Sequence, residues 1–272
     1  MENFWILFLS FTIYSFIGWI IETIFCSVPA GKFINRGFLN GPFCPIYGVG
    51  GLTVIYLLSP FQDNLVVLYF AGVIVTTSLE YVTGLALETI FHTKYWDYSE
   101  HRYNIQGRIC MQNSLLFGVM AIVGIQYAHP ILMETLHKIP QDILPYIGGV
   151  LILYFFCDTL LTILAILRLN GKLDEIQQMI DEFKEKASDL KTEKFENVQT
   201  AIASLLDEER KASYQKTFAE LYEKTDNISK EMKFFQRRVI EAFPTMKSVQ
   251  NNESLQRVKE AIQNKAKSMK RK

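Results

Sequence analysis

The chain has 272 residues, 28 basic and 28 acidic side chains, 49% hydrophobic residues and a formal net charge of zero. A balanced charge gives no support to nucleic-acid binding outside a basic C-terminal tail. The four cysteines, Cys26, Cys44, Cys110 and Cys157, lie far apart without a CxxC pair, which excludes a zinc ribbon or a dense disulfide framework and leaves them expected as reduced thiols.

The zero average conceals a split. Residues 1–168 carry seven Lys/Arg, ten Asp/Glu and nearly all the long apolar runs, whereas residues 169–272 carry twenty-one Lys/Arg and eighteen Asp/Glu. The expected organisation is a transmembrane domain over 1–168 and a polar helical extension over 169–272. Glu2 stands where a signal peptide carries positive charge, and the apolar stretch from Phe4 to Phe25 is too long for a signal core, so it is read as a retained span.

A helix needs roughly 20 apolar residues to cross about 30 Å of hydrocarbon. Five segments meet or approach that length: 4–25, 43–59, 65–91, 114–129 and 144–168. Their continuous rather than alternating apolar character selects helices over a barrel, so the fold class is an all-α membrane protein with about five transmembrane helices. The second span opens GPFCPIYGVGG, and its prolines and glycines predict a broken or re-entrant entry, irregular backbone of the kind that can line a transport site.

Basic residues in the short loops set the orientation. Loop 26–42 holds Lys32 and Arg36, loop 92–113 holds Lys94, Arg102 and Arg108, and the opposite side holds Lys138 alone. Five against one predicts cytoplasmic placement of the two larger loops, with the N-terminus outside and the C-terminus in the cytoplasm.

The extension shows spacings of three and four, as in a coiled coil: Leu173, Ile176, Ile180, Phe183, Ala187 and Leu190, then Phe195, Val198, Ile202 and Leu205, then Tyr214 through Val239. Burying these seams takes a helical hairpin or a partner chain, which includes self-association. Pro244 is expected to stop the last of these helices, and NKAKSMKRK to be a frayed basic tail.

Acids inside the apolar runs are the candidate functional residues: Glu22, Glu80, Glu88 and Asp158. A charged group at mid-bilayer costs at least about 2.5–3.5 kcal/mol, so each needs a partner or a wet cavity. Glu80 and Glu88 lie on neighbouring faces of one helix with Gly84 between them, and all four acids lean toward the side that bears Arg36 and Arg108. Together these six residues outline a polar site on the cytoplasmic side, roofed by loops 26–47 and 92–113. His92, His101, His129 and His137 show no ligand spacing, and neither a metal nor a cofactor is expected.

Five motifs occur in order: GWxxE from Gly18 to Glu22, NRGFLNGPFCPIYG from Asn35 to Gly48, LEYxTGxxLE from Leu79 to Glu88, WDYS from Trp96 to Ser99, and NxxGRIC from Asn104 to Cys110. Over roughly residues 5–130 they resemble a bacterial membrane family catalogued as ABC-transporter permeases, the CmpB-like type IV group. The resemblance implies a permease subunit working with a separate ATPase, and the absence of a GxxxxGK[ST] loop fits that division of labour. It implies no particular substrate. Two alternatives stand beside transport: a scaffold or sensor acting through the C-terminal helices, and, with least support, a membrane-embedded enzyme acting on lipid through Glu80 or Glu22.

Overall fold

A computed structural model describes residues 3–188 and 234–270, together with 219, 223, 225–227 and 232. The seam positions Leu190, Phe195, Val198, Ile202, Leu205, Tyr214, Phe218, Leu221 and Ile228 lie outside these residues.

Helix α1 (Phe4–Ala30) starts at Asn3, whose side chain accepts from Trp5 N, and ends at Gly31 in the left-handed conformation. Helix α2 (Pro45–Leu58) begins at the proline that ends the irregular GPFC entry; Pro at the first helical position loses no needed donor. Asn64 caps α3 (Leu65–Phe91) in the same way as Asn3 caps α1. Short strands β1 (Thr93–Lys94), β2 (Asn104–Ile105) and β3 (Ile109–Cys110) follow, with Asn104 opposite Cys110 in an antiparallel β2–β3 pair.

Helix α4 (Met111–Val123) passes through a π-turn at Gly124–Ala128 into α5 (His129–His137). The chain therefore stays helical to His137, beyond residue 129 where the fourth apolar segment was expected to end. The wide π-turn changes the hydrogen-bond register just before Pro130, so the missing proline N–H does not break the helix. Leu132 and Leu136 from α5 then bury against Ile6 and Leu9 of α1 and Leu144, the first residue of α6 (Leu144–Ser188).

Among the described residues four helical segments are long and apolar enough to span a membrane, Phe4–Ala30, Leu65–Phe91, Met111–His137 and the apolar part of α6, and Pro45–Phe61 is a shorter apolar helix. Large apolar side chains such as Phe70, Ile74, Val82, Val150 and Phe156 face outward, as lipid contact requires. Inside, small residues let backbones approach. A Cβ on Gly72 would stand 2.7 Å from that of Ala121, and one on Gly118 would stand 2.5 Å from Val73.

The described residues divide into two compact units, one within Met1–Ile166 and Arg237–Lys247, the other within Leu167–Gln236 and Ser248–Lys272. The first thus includes most of helix α7 (Phe234–Ala242) and the turn after it, which begins at Phe243-Pro244. In the second, Leu169, Leu173, Ile176 and Ile180 of α6 are buried, as are Leu255, Val258 and Ile262 of α8 (Asn252–Lys270). Asn251 donates to Asp174, and Ser254 to Gln177 at 2.8 Å. The basic stretch expected to be frayed is helical as far as Lys270.

Candidate functional site: a clamped loop over buried carboxylates

The segment from Asn35 to Cys44 has no regular structure, so its backbone groups need partners elsewhere. Asp158, on the membrane part of α6, accepts from Asn40 N at 2.9 Å and Gly41 N at 2.8 Å. Gly41 leaves room there, since a Cβ would stand 1.7 Å from the Tyr154 hydroxyl and force that side chain to move. From the opposite pole, Arg238 of α7 donates to the carbonyls of Gly37 (2.7 Å), Phe38 (3.3 Å) and Asn35 (3.5 Å). Burial pulls the Arg238 guanidinium down to about 10, which still leaves it charged at neutral pH. One acid thus holds two of the loop's donors and one base three of its acceptors.

Arg36 projects from this loop. Its Nη1 donates to Ala242 O at 2.6 Å, its guanidinium lies 4.6 Å from the Phe243 ring centre, and its Nε stands 3.5 Å from Glu22 Oε2. The other Glu22 oxygen accepts from the Tyr47 hydroxyl at 2.8 Å. Gly18, one turn before Glu22, makes room for that tyrosine, since a Cβ would come within 2.2 Å of its ring.

Glu80 is 7% exposed, and among the described residues its Oε2 has no hydrogen-bond partner. Thr77 Oγ1, one turn earlier on α3, is also buried without a partner. Tyr98, from the loop after α3, lies beside Glu80; burial pushes its phenol up first, and the charges of Glu80 and then Glu22 push it further.

Glu88 belongs to a different arrangement. Arg108 holds one of its oxygens with Nη2 at 2.8 Å and Nε at 3.0 Å. Arg108 also bonds the Gln106 side chain and lies over Tyr81, while its carbonyl accepts from Trp96 Nε1 at 2.8 Å. Next to it, Asp97 pairs with Lys247. Burial opposes the Asp97 charge, but hydrogen bonds from Lys247 and Ser99 outweigh it and hold the carboxyl down at about 2.

The six candidate residues therefore fall into three groupings: Glu22 and Arg36 with Glu80 nearby, Glu88 with Arg108, and Asp158 with the loop backbone. Tyr47, Thr77, Tyr98, Asn40 and Arg238 complete these groupings and had not been singled out. Tyr47 and Asn40 lie inside a motif dense with turn residues, so their position carried some signal. Arg238 carried none, being one of twenty-one cations in a charge-rich stretch. All four cysteines are free thiols, and no group of three potential metal ligands occurs among the described residues.

Spanning-length apolar helices around paired acids and arginines define a multi-pass membrane protein with a polar interior cluster. Residues 9–163 match the profile of the CmpB-type family described as "Putative ABC-transporter type IV". The chain belongs to that family, and the match ends well before Arg238. Searches of curated proteins and of solved structures gave no match.

Proposed function

We propose that this chain is the membrane-embedded permease component of a transporter, handling a small solute through the Glu22–Arg36–Glu80 cluster. Membership of an ABC-transporter-type family supports the class. The observation that carries the reading is Glu80: a carboxylate nine-tenths buried within a spanning helix, with one oxygen that meets no partner among the described residues.

In this reading the loops between α1 and α2 and between α3 and α4 face the cytoplasm. Lys32, Arg36, Lys94, Arg102 and Arg108 lie in them, against Lys138 on the other side. The N-terminus is then outside, the extension from residue 169 is cytoplasmic, and ATP hydrolysis belongs to a separate ATPase subunit.

The test compares solute profiles of ATP-energised inside-out vesicles from cells with the intact chain, a deletion and Glu80→Gln. At least one solute should differ between intact and deleted chains, and Glu80→Gln should follow the deletion at equal protein level. Identical profiles in all three would remove the transport reading.

A second reading has one observation in its favour. Residues Arg237–Lys247 pack within the same unit as the membrane helices, as a sensor reporting through the C-terminal helices requires. It predicts that removing the extension abolishes the phenotype while the vesicle profiles stay unchanged.

A further inference from the structure

We propose that Glu80 is a proton-binding site within the membrane unit, taking up and releasing a single proton at its unpartnered oxygen. The inference deepens the transport reading and rests on the same side chain, but its test does not require a transported solute.

Position comes first. Glu80 lies about 16 Å along the axis from the end of α3 at Phe91, at 1.5 Å rise per residue, so its carboxylate cannot reach the helix end. Glu88, close to that end, has what Glu80 lacks: an arginine on its carboxylate.

Charge comes second. From α1, Glu22 faces the region as a second carboxylate, with one oxygen near Arg36 and the other on the Tyr47 hydroxyl. From α2 the facing group is Tyr47, and from the loop after α3 they are Tyr98 and Cys110, the thiol being sensed by Tyr98. Helix α4 contributes no ionisable residue, since Met111–Val123 contains none. On α3 itself Tyr81 is occupied with Gln106. The Arg36 guanidinium stands against Glu22, Ala242 O and the Phe243 ring, while the charge that Glu80 senses is the second carboxylate, Glu22. An unneutralised carboxylate at that depth is costly, and a proton removes the cost.

Coordination comes third, and separates a proton from a metal ion. Hard cations of the calcium or magnesium type take six or more oxygens. Tyr98 offers Glu80 one phenol hydrogen bond, Thr77 stands one turn earlier on the same helix, and no group of three acidic, histidine or cysteine ligands occurs among the described residues. A proton needs one lone pair. The step is one proton transfer: water at the loop-bearing face supplies H⁺, an O–H bond forms at Glu80 Oε2, and the Tyr98 phenol keeps its own proton throughout.

The full chain in nanodiscs, in choline chloride, is titrated by infrared difference spectroscopy. The expected result is a protonated-carboxyl carbonyl band that grows in acid, disappears in base, shifts in Glu80→Asp and is absent in Glu80→Gln. Glu80→Asp keeps the test valid where the amide variant does not fold. A wild-type spectrum matching Glu80→Gln, or a band that Glu80→Asp leaves unmoved, overturns the proposal. So does loss of the band when sodium replaces choline at fixed pH, which would make the site a sodium site. If the band behaves as expected and vesicle profiles do not change, the transport reading fails and the proton site stands.

Discussion

Asp97 illustrates how a side chain outside the spans ties distant parts of the sequence into one unit. It faces Lys247, 150 residues later, and Ser99, and its carboxyl is held at about 2 against an ordinary 3.8. A depressed folded value means stability that is fully present above the unfolded value and is lost as pH falls through the folded one. The shift corresponds to at most about 2.5 kcal/mol, and to about 1 kcal/mol once the half-exposed Lys247 is discounted for solvent screening. The stability gap between wild type and Asp97→Asn should be constant above about pH 5 and close between about pH 4 and 2. Thermal unfolding in detergent across that range measures it; a gap independent of pH would sink the assignment. At this scale the sequence was informative about which residues need partners, since Glu22, Glu80, Glu88 and Asp158 are acids in apolar surroundings. Which partner each one meets was not legible, because Tyr98 and the Asn40–Gly41 amides reach them through loop geometry and Tyr47 through the packing of α2 on α1.

The loop from Asn35 to Cys44 is the element on which the candidate site depends, and it behaves as a bridge fixed at two ends. Asp158 holds its amides and Arg238 its carbonyls. Removing either leaves buried backbone groups unsatisfied, at about 1–3 kcal/mol each. Because both hold one segment, their effects should not add. Asp158→Asn and Arg238→Ala are each expected to lower stability, and the double variant to cost less than the sum by about 0.5 kcal/mol or more. Chemical denaturation of all four proteins reads the coupling directly. Strict additivity would mean that the loop is not a single mechanical unit. Long apolar runs made α1, α3 and α6 legible, and the prolines and glycines of GPFCPIYGVGG marked an irregular entry to α2. The continuation through Pro130 was hidden because composition cannot distinguish a π-turn, which accommodates a proline, from a loop that follows one.

For the whole molecule, the consequential feature is that residues Arg237–Lys247 join the membrane unit although charge and hydropathy place them in the polar extension. Their seam spacing is helical like that of their neighbours, and nothing in it distinguishes a segment that returns to the loops from one that stays with α8. A truncation after residue 172 therefore removes more than a solvated appendage: Arg238, the Ala242 carbonyl and the Phe243 ring go with it. Cys44 reports on this, because it is 5% exposed, ends the clamped loop, and donates its thiol toward Arg36 O. In a background with Cys26, Cys110 and Cys157 replaced by serine, a water-soluble maleimide should label Cys44 slowly in the full chain. Truncation should speed labelling by about tenfold, the factor expected if about 1.4 kcal/mol of loop-holding contact is lost. Arg238→Ala in the full chain should recover most of that increase. Equal labelling rates in full and truncated chains would show that the loop keeps its shape without its C-terminal partner, and the polar cluster would then be set by the first 166 residues alone.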